Sequence, residues 1–217
     1  MKKITEFETK KILRKHGIPI TKEFLAKTPQ EAKKFAKKIG YPVVMKIQSP
    51  DILHKTDAGG VLLDIENEKE LTEGFDRLMK SAKKHNRKAK ILGILVQEMV
   101  KDGVQCIVGS KKDPQFGPVI MFGLGGIFVE VLKDVSFRII PIERKDAKEM
   151  ISEIKGYEVL KGVRGQQPVD LKAIENTLIK VSNFVWKNKE IQELDINPLF
   201  TSAKGVKAAD ARMITNE

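Results

Sequence analysis

A polar stripe close to the end of the chain combines the residue types and spacing of a magnesium site. In the run ELDINP (193–198), the alternation of a β-strand places Glu193, Asp195 and Asn197 on one face and the intervening apolar residues toward a core. Asp210 follows in the run AADAR, which can form a neighbouring strand. Carboxylate and amide oxygens are the hard ligands that Mg²⁺ prefers, with water and phosphate oxygens completing its coordination. The pattern predicts a magnesium site; a polar stripe facing solvent is the alternative.

Two basic residues lie inside apolar strands and could bind phosphate. Lys46 occurs in YPVVMKI and Arg138 in FRIIPI. A charged side chain in such a strand is costly unless it meets an anion. A lysine ammonium is a compact positive charge that can bind phosphate oxygens. The planar guanidinium of an arginine can bind two phosphate oxygens at once. For Lys46, a strand-end side chain that points into water is the alternative.

Backbone groups at two further places could contact a nucleotide. The apolar strand ILGILVQEMV ends in the run 97–100, where free N–H and C=O groups at a hinge can read the edge of an adenine. The run GLGG (123–126) follows the strand PVIMF, and its amides could form an anion nest. Its spacing excludes a P-loop, and a plain tight turn explains the glycines equally well.

His54 has the most reactive setting of the three histidines. It lies in SPDILHKTDAGGV (49–61), between turn-forming residues and without an apolar core to cover it. His16 near a helix end and His85 in a basic run are expected at the surface. The segment around His54 could be an ordinary solvated loop or a flexible arm that presents a reactive imidazole.

The elements that must position these residues mix helices and strands. Apolar spacing and capping residues predict helices at 6–15, 29–39, 68–85, 147–154 and 170–186. Alternating or continuous apolar runs predict strands at 41–47, 61–65, 91–100, 104–109, 118–123, 129–132 and 137–142, with two more in the tail.

Hairpin-like spacing in the second half indicates an α+β fold in place of a doubly wound sheet. A seam near Val100 divides the single domain 1–217 into an N-terminal lobe (18–100) and a C-terminal lobe (101–217), preceded by a helical segment (1–17).

Composition excludes several classes of protein. The net charge of +11 could indicate nucleic-acid binding, but the lysines are scattered over helical faces and the 13 aromatic residues leave little for base stacking. Adaptation to heat also explains a Lys- and Glu-rich surface. No apolar run approaches the roughly 18 residues of a membrane helix, and the start MKKITEFETKK is not a signal peptide. The lone Cys106 excludes an internal disulfide and is compatible with a cytoplasmic location.

Together these motifs resemble those of ATP-grasp nucleotide-binding proteins. The runs SPDILHKTDAGGV, DPQFGPVIMFGLGGIFVEVLKDVSFRIIPI and ELDINPL resemble the β subunit of ADP-forming acyl-CoA (acetyl-CoA) synthetases, over essentially the whole chain. Fused single-chain synthetases and the domain attached to protein lysine acetyltransferases are similar, and the succinyl-CoA ligase β chain more distantly so. The resemblance implies an ATP-grasp fold of two lobes, with the nucleotide cleft between them.

The resemblance also implies a binding role for several residues, with ATP or ADP and Mg²⁺ as cofactors. Lys46 would contact the α- and β-phosphates, while Glu98 and Val100 would hold the adenine. Asn197 and Asp210 would bind Mg²⁺, with Asp195 as a third candidate ligand.

A second group of residues would serve phosphoryl transfer. Arg138 and the loop residues Gly125 and Gly126 would lie near the transferred phosphoryl group, and His54 would relay phosphate. At Gln105 the chain departs from the family pattern G-V-E-x-I-V-G, and an amide cannot supply the charge of the missing carboxylate. The resemblance leaves open whether this substitution weakens metal binding.

The implied reaction converts acyl-CoA, ADP and phosphate into the free acid, CoA and ATP. A separate CoA-binding α subunit with its own phosphorylated histidine would be the partner, in an α2β2 assembly. The alternative is a non-catalytic ATP-grasp module that assembles with another protein or regulates it. Neither nucleic acid nor a membrane is an expected partner.

Overall fold

The computed structural model describes residues 1–52, 55–126, 133–163 and 165–216, and their mixture of helices and antiparallel strands confirms the α+β class. The helices are α1 (Glu6–Lys15), α2 (Pro29–Ile39), α3 (Glu68–His85), α4 (Arg144–Glu153), α5 (Tyr157–Leu160) and α6 (Leu171–Lys187). The strands are β1 (Lys2–Ile4), β2 (Glu23–Ala26), β3 (Val43–Gln48), β4 (Val61–Ile65), β5 (Gly93–Glu98), β6 (Val104–Asp113), β7 (Gly117–Leu124), β8 (Val135–Ile139), β9 (Ile191–Ser202), β10 (Gly205–Ala208) and β11 (Ala211–Thr215).

The chain divides into two compact units. The small unit is Thr21–Val100, and the large unit combines Met1–Ile20 with Lys101–Glu217. Helix α1, which precedes both lobes in the sequence, therefore belongs to the large unit.

In the small unit, a four-stranded antiparallel sheet packs one face against α2 and α3. Its strand order is β2-β5-β3-β4. Local sequence determines where both helices begin. The Thr28 hydroxyl accepts the N–H of Glu31 at 3.2 Å, and the Asn67 side chain accepts the N–H of Glu70 at 3.0 Å. These caps satisfy N–H groups that have no partner within the helix.

The large unit is built on a seven-stranded antiparallel sheet, ordered β1-β11-β9-β6-β7-β8 with β10 paired to β9. Helices α1, α4 and α6 cover one face of this sheet. Leu13, Met150 and Leu178 of these helices pack into the same buried core as Phe122 and Leu194 of the sheet. The covered face is therefore apolar, and it is the opposite face of the sheet that can present polar side chains to a ligand.

Several predicted element boundaries differ from the structure, and two of the differences have a local cause. The predicted strand 137–142 is β8, which ends at Ile139, because Pro141 has no N–H with which to continue a ladder. The predicted helix 147–154 already begins at Arg144, where the N–H of the capping residue donates to the Asp146 carboxylate at 2.7 Å.

Short elements account for the remaining differences. Strands β1 and β2 and helix α5 were not predicted, and the tail holds three strands in place of two. The predicted strand 129–132 lies outside the described residues. No helix among the described residues is long and apolar enough to cross a membrane.

The Cys106 thiol belongs to the core of the large unit. It is fully buried and lies 3.7 Å from the Thr201 hydroxyl. Burial raises the pKa of Cys106 to about 12. The thiol therefore stays neutral near pH 7 and is excluded as a nucleophile.

Candidate active site

Strand β9 presents its acidic residues on the face of the large sheet that the helices leave uncovered. Asp195 pairs with Gly109 on one side and Arg212 on the other. The neighbouring Leu194 and Ile196 are fully buried in the core beneath the helices. Successive residues of a strand point to opposite faces, so the alternation predicted from the sequence is confirmed.

Asn197 and Asp210 are brought together where β9 meets the connection from β10 to β11. The N–H of Asn197 donates to the Asp210 carbonyl at 3.2 Å. The adjacent residues form a second hydrogen bond, in which the N–H of Ala209 donates to the Pro198 carbonyl at 3.0 Å. These two hydrogen bonds fix the backbone that carries both candidate metal ligands.

The electrostatic environment of Asp195 favours a bound cation. Burial raises the pKa of the Asp195 carboxyl, and the nearby Asp210 and Glu193 carboxylates raise it further, while Arg212 lowers it. The net direction is upward, so the surroundings resist another negative charge at this place. A divalent cation would remove that conflict.

The candidate ligands could supply only part of the coordination of a metal ion. Within the described ranges, no three His, Cys, Asp or Glu side chains are arranged to hold a metal ion by themselves. Mg²⁺ commonly takes one or two carboxylates from the protein and completes its octahedron with water and substrate phosphates. Two carboxylates, Asp195 and Asp210, with the Asn197 amide therefore fit this ion.

Arg138 lies on the helix-covered face of the large sheet, opposite to Asp195. Its cross-strand partner is Ile120, which pairs with Ser110 and through it with Leu194. Directly paired residues share a face, and Leu194 and Ile120 are buried in the core. Arg138 therefore lies on the other face from the candidate metal ligands of β9, which argues against the predicted role beside the transferred phosphoryl group.

The Arg138 guanidinium is engaged by two carboxylates of α4. It donates to Glu153 Oε2 at 2.9 Å and to Glu149 at 3.4 Å, and it also bonds the second oxygen of Glu153. This contact lowers the pKa of Glu153. The interpretation of Arg138 as a lone cation is thus corrected: its fork binds a neighbouring helix.

We expect Arg138→Met to have a small effect on stability and none on catalysis. The ion pair is partly exposed, so its loss should lower the free energy of unfolding by less than about 1 kcal/mol. Urea unfolding and an assay of ATP formation test this, with Glu153→Gln as the matched control. A fall in activity beyond about tenfold at unchanged stability would contradict the structural role.

The face of the small sheet opposite to its helices carries several polar side chains among apolar ones. Met45 and Ile47 of β3 lie in the core with α2 and α3, so Lys46 between them points to the other face. Lys46 shares this face with Gln97 of β5 and Glu23 of β2, which pair with each other. Lys46 is only 7% exposed, so the alternative of a lysine in water is wrong.

Glu98 is held at the end of β5 by the segment before β2. Its carboxylate accepts the N–H of Lys22 at 2.7 Å, while its own N–H donates to the Lys22 carbonyl at 2.9 Å. The N–H of Met99 reaches the Pro42 carbonyl at 3.4 Å. Since Lys22 engages both the carboxylate and the N–H of Glu98, an adenine contact here would fall to the Glu98 carbonyl and the main-chain groups of Val100.

The glycine loop after β7 differs in part from the predicted anion nest. The N–H of Gly125 donates to the Gln105 carbonyl at 2.7 Å, so β6 already engages it. Gly126 has φ of +64°, a conformation that favours glycine. A cavity of about 330 Å³ adjoins the loop, the first residues of β6 and Val159. Gly126 and this cavity are the part of the loop that could accept a ligand, and Gln105 lines it.

His54 lies outside the described residues, but both flanks of its loop are anchored in the small unit. Ile52 is buried in the core, and the N–H of Gly60 donates to the Lys55 carbonyl at 2.6 Å. A Cβ at Gly60 would come within 2.6 Å of Ile47 Cγ2, so this glycine permits a close approach. The loop therefore starts and ends at defined points.

The complete sequence pattern identifies the family to which this architecture belongs. Residues 1–215 match the model for the ATP-grasp domain. The chain belongs to the ATP-grasp family. This membership confirms the fold that the motifs predicted.

Relatives of this ATP-grasp chain are named as ligase subunits. The β subunit of ADP-forming acetate–CoA ligase II from Pyrococcus furiosus is 50% identical over 214 residues, which cover 97% of this chain and 91% of that protein. The resemblance to such β subunits, predicted from the motifs, is confirmed.

Solved structures extend the likeness to three dimensions. The dinucleotide forming acetyl-coenzyme A synthetase 1 of Ca. Korarchaeum cryptofilum, in complex with coenzyme A, Ca-AMPCP and HgCl⁺, has a TM-score of 0.96 and 45% identity, covering 99% of this chain and 94% of that one. A second structure of that protein contains coenzyme A and Mg-AMPPCP, and its phosphohistidine segment points towards the nucleotide binding site. Its TM-score is 0.88 at 42% identity, covering 99% and 93%.

Proposed function

We propose that this chain is the nucleotide-binding β subunit of an ADP-forming acyl-CoA synthetase. The reaction is acyl-CoA + ADP + phosphate = acid + CoA + ATP. One observation carries the proposal: the 50% identity to an ADP-forming acetate–CoA ligase β subunit extends over nearly the full length of both proteins. The candidate cation site of Asp195, Asn197 and Asp210 supports it, because a phosphoryl transfer between anions needs such a site.

A partner subunit follows from the relatives, which are named as subunits. We propose that the partner is a CoA-binding α subunit and that the assembly is α2β2. The acyl group would be chosen on that partner, so this chain does not set the acid. The cytoplasmic location expected from the single cysteine stays a prediction.

We propose that the nucleotide is bound by charge and by backbone groups. The Lys46 ammonium neutralises phosphate oxygens, and its buried position strengthens that attraction. Main-chain groups at Glu98 and Val100 hold the adenine edge. Mg²⁺ held by Asn197 and Asp210, with Asp195, offsets the charge of the β- and γ-phosphate oxygens. Positioning and charge neutralisation supply most of the catalysis in such transfers.

We propose that the phosphoryl group reaches ADP through His54. A neutral imidazole nitrogen attacks the phosphorus of a phosphohistidine on the partner; a new N–P bond forms while the donor N–P bond breaks. An oxygen of the ADP β-phosphate then attacks the same phosphorus, which forms the new O–P bond of ATP and releases the imidazole. Lys55, beside His54, would balance the charge of the group in transit.

Reconstitution tests the proposed function. The purified chain is mixed with the CoA-binding α subunit encoded by the same organism, Mg²⁺, ADP, phosphate and acetyl-CoA, and ATP is measured with luciferase. We expect ATP only when both chains are present. Binding of Mg-ADP without any ATP formation, over a range of acyl-CoA substrates, would favour the non-catalytic module.

A further inference from the structure

A lysine of α1, to which the sequence patterns assign no role, contacts the backbone of the candidate metal site. Lys10 Nζ lies 2.9 Å from the Ala209 carbonyl and 3.1 Å from Glu6 Oε1. The Lys10 and Glu6 side chains are 0% and 1% exposed. We propose that Lys10 is a positioning residue that orients Asp210 and Asn197 for the cation. The proposal rests on the proposed function.

The hydrogen bonds around Ala209 show how Lys10 acts on the ligands. The carbonyl that Lys10 binds belongs to the peptide unit joining Ala209 to Asp210. The N–H of Ala209 is held by the Pro198 carbonyl, and the carbonyl of Asp210 by the N–H of Asn197. Lys10 therefore fixes the peptide plane between these two anchors. A rotation of that plane would swing the Asp210 carboxylate, so the lysine restricts its direction.

The energetic cost of this arrangement indicates that stability does not explain it. Burying an ammonium and a carboxylate costs desolvation energy, and an apolar pair of similar volume is often at least as stable. A methionine at position 10 would fill the same space without that cost. What the lysine adds is a directed hydrogen bond to the Ala209 carbonyl, which no apolar side chain can make.

The charge of the pair also fits a positioning role. Glu6 is one helical turn before Lys10 and neutralises it, so the pair as a whole adds no net positive charge that would repel a cation. Helix α1 is tied to the same sheet as the ligands, because β1, directly before it, pairs with β11. The anchor and the anchored peptide thus belong to one unit.

Metal binding separates this role from a purely structural one. Mn²⁺ is used as a paramagnetic probe in place of Mg²⁺. Its binding to the full-length chain in the presence of ADP is measured by electron paramagnetic resonance. We expect Lys10→Met to weaken Mn²⁺ binding about tenfold or more, the effect usual for residues that orient metal ligands. In the reconstituted enzyme, the Mg²⁺ concentration for half-maximal activity should rise by the same factor, with the rate at saturating Mg²⁺ changed less.

Two further variants control for folding. Lys11→Met removes the neighbouring, exposed lysine of the same helix and should bind Mn²⁺ like the wild type. Glu6→Gln/Lys10→Met removes both buried charges, so it leaves no unpaired carboxylate; it should fold and still bind Mn²⁺ about tenfold more weakly.

The outcomes distinguish the two proposals. If the wild type binds Mn²⁺ and the folded double variant binds it equally well, the role of Lys10 is refuted while the proposed function stands. If the wild type shows no ADP-dependent Mn²⁺ binding, the proposed function fails, and the role of Lys10 with it.

Discussion

His54→Ala is expected to lower ATP formation by the reconstituted enzyme about 10³-fold or more, while Mg-ADP binding stays at the wild-type level. Removing a group that carries the transferred phosphoryl eliminates the route itself, and losses of this size are typical for nucleophiles. The measurements are the steady-state rate of ATP formation and calorimetric titration of Mg-ADP. If the variant still binds Mg-ADP, the loss of activity comes from the missing imidazole and not from a damaged nucleotide site.

The two other histidines provide matched controls for this variant. The His16 ring packs against Phe184 with 4.5 Å between ring centroids, and its Nδ1 lies 3.0 Å from the Ile12 carbonyl. His85 is the last residue of α3 and is exposed. Alanine at either position should leave turnover within about threefold of the wild type, since neither belongs to the site. Undiminished turnover of His54→Ala would refute the relay.

Asp195→Asn is expected to raise the Tm of the ligand-free chain at pH 7 and to lower Mg²⁺-dependent ATP formation about 100-fold. The folded state raises the pKa of this carboxyl, so the folded chain binds its proton more tightly than the unfolded chain does. Stability contributed by the protonated form is therefore lost as pH rises from the unfolded pKa through the folded one. The amide keeps the uncharged form at every pH, but it loses the charge that a cation needs.

Calorimetric unfolding between pH 4 and pH 8 checks this trade-off. The Tm difference between Asp195→Asn and the wild type should grow with pH across the window in which the wild-type carboxyl ionises. Saturating Mg-ADP should then stabilise the wild type more than the variant. Asp76→Asn, a change at an exposed aspartate of α3, is the control for removing a carboxylate elsewhere. A lower Tm for Asp195→Asn at all pH values would contradict the electrostatic account.

The arrangement of the candidate metal ligands on β9 was predictable because its signal is local. Alternation along β9 fixes which side chains share a face, and the structure confirms it for Asp195 with Leu194 and Ile196. The contact between Asn197 and Asp210 follows from a short excursion of the chain, from β9 through β10 to β11. Short-range pairing of this kind can be read from turn spacing.

Arg138 was misread because an apolar strand with one cation does not reveal which face the cation occupies. In β8 the answer depends on pairing with β7, whose register is set by tertiary packing. A usable signal did exist on the following helix. Glu149 and Glu153 are one turn apart on α4, a spacing that lets both carboxylates meet one guanidinium.

Lys10 was missed for a related reason. No role was predicted for the charged residues of α1, yet Glu6, Lys10 and Leu13 form its buried stripe at the i, i+4, i+7 spacing of a helix face. The same residues could have been read as a stripe that contains an internal ion pair. Strand β1 was unpredictable in practice, because three residues with two lysines carry no strand pattern, and its pairing with β11 joins the two ends of the chain.

A single-turnover transfer of phosphate tests the central claim most directly. The α partner is labelled with ³²P from acetyl-CoA and labelled phosphate, freed of small molecules, and mixed with this chain and Mg-ADP. The account predicts that label leaves the partner and appears in ATP within one turnover, and that His54→Ala and Asp195→Asn chains block this step. Label that stays on the partner with the wild-type chain, or reaches ATP equally fast with His54→Ala, would contradict the account.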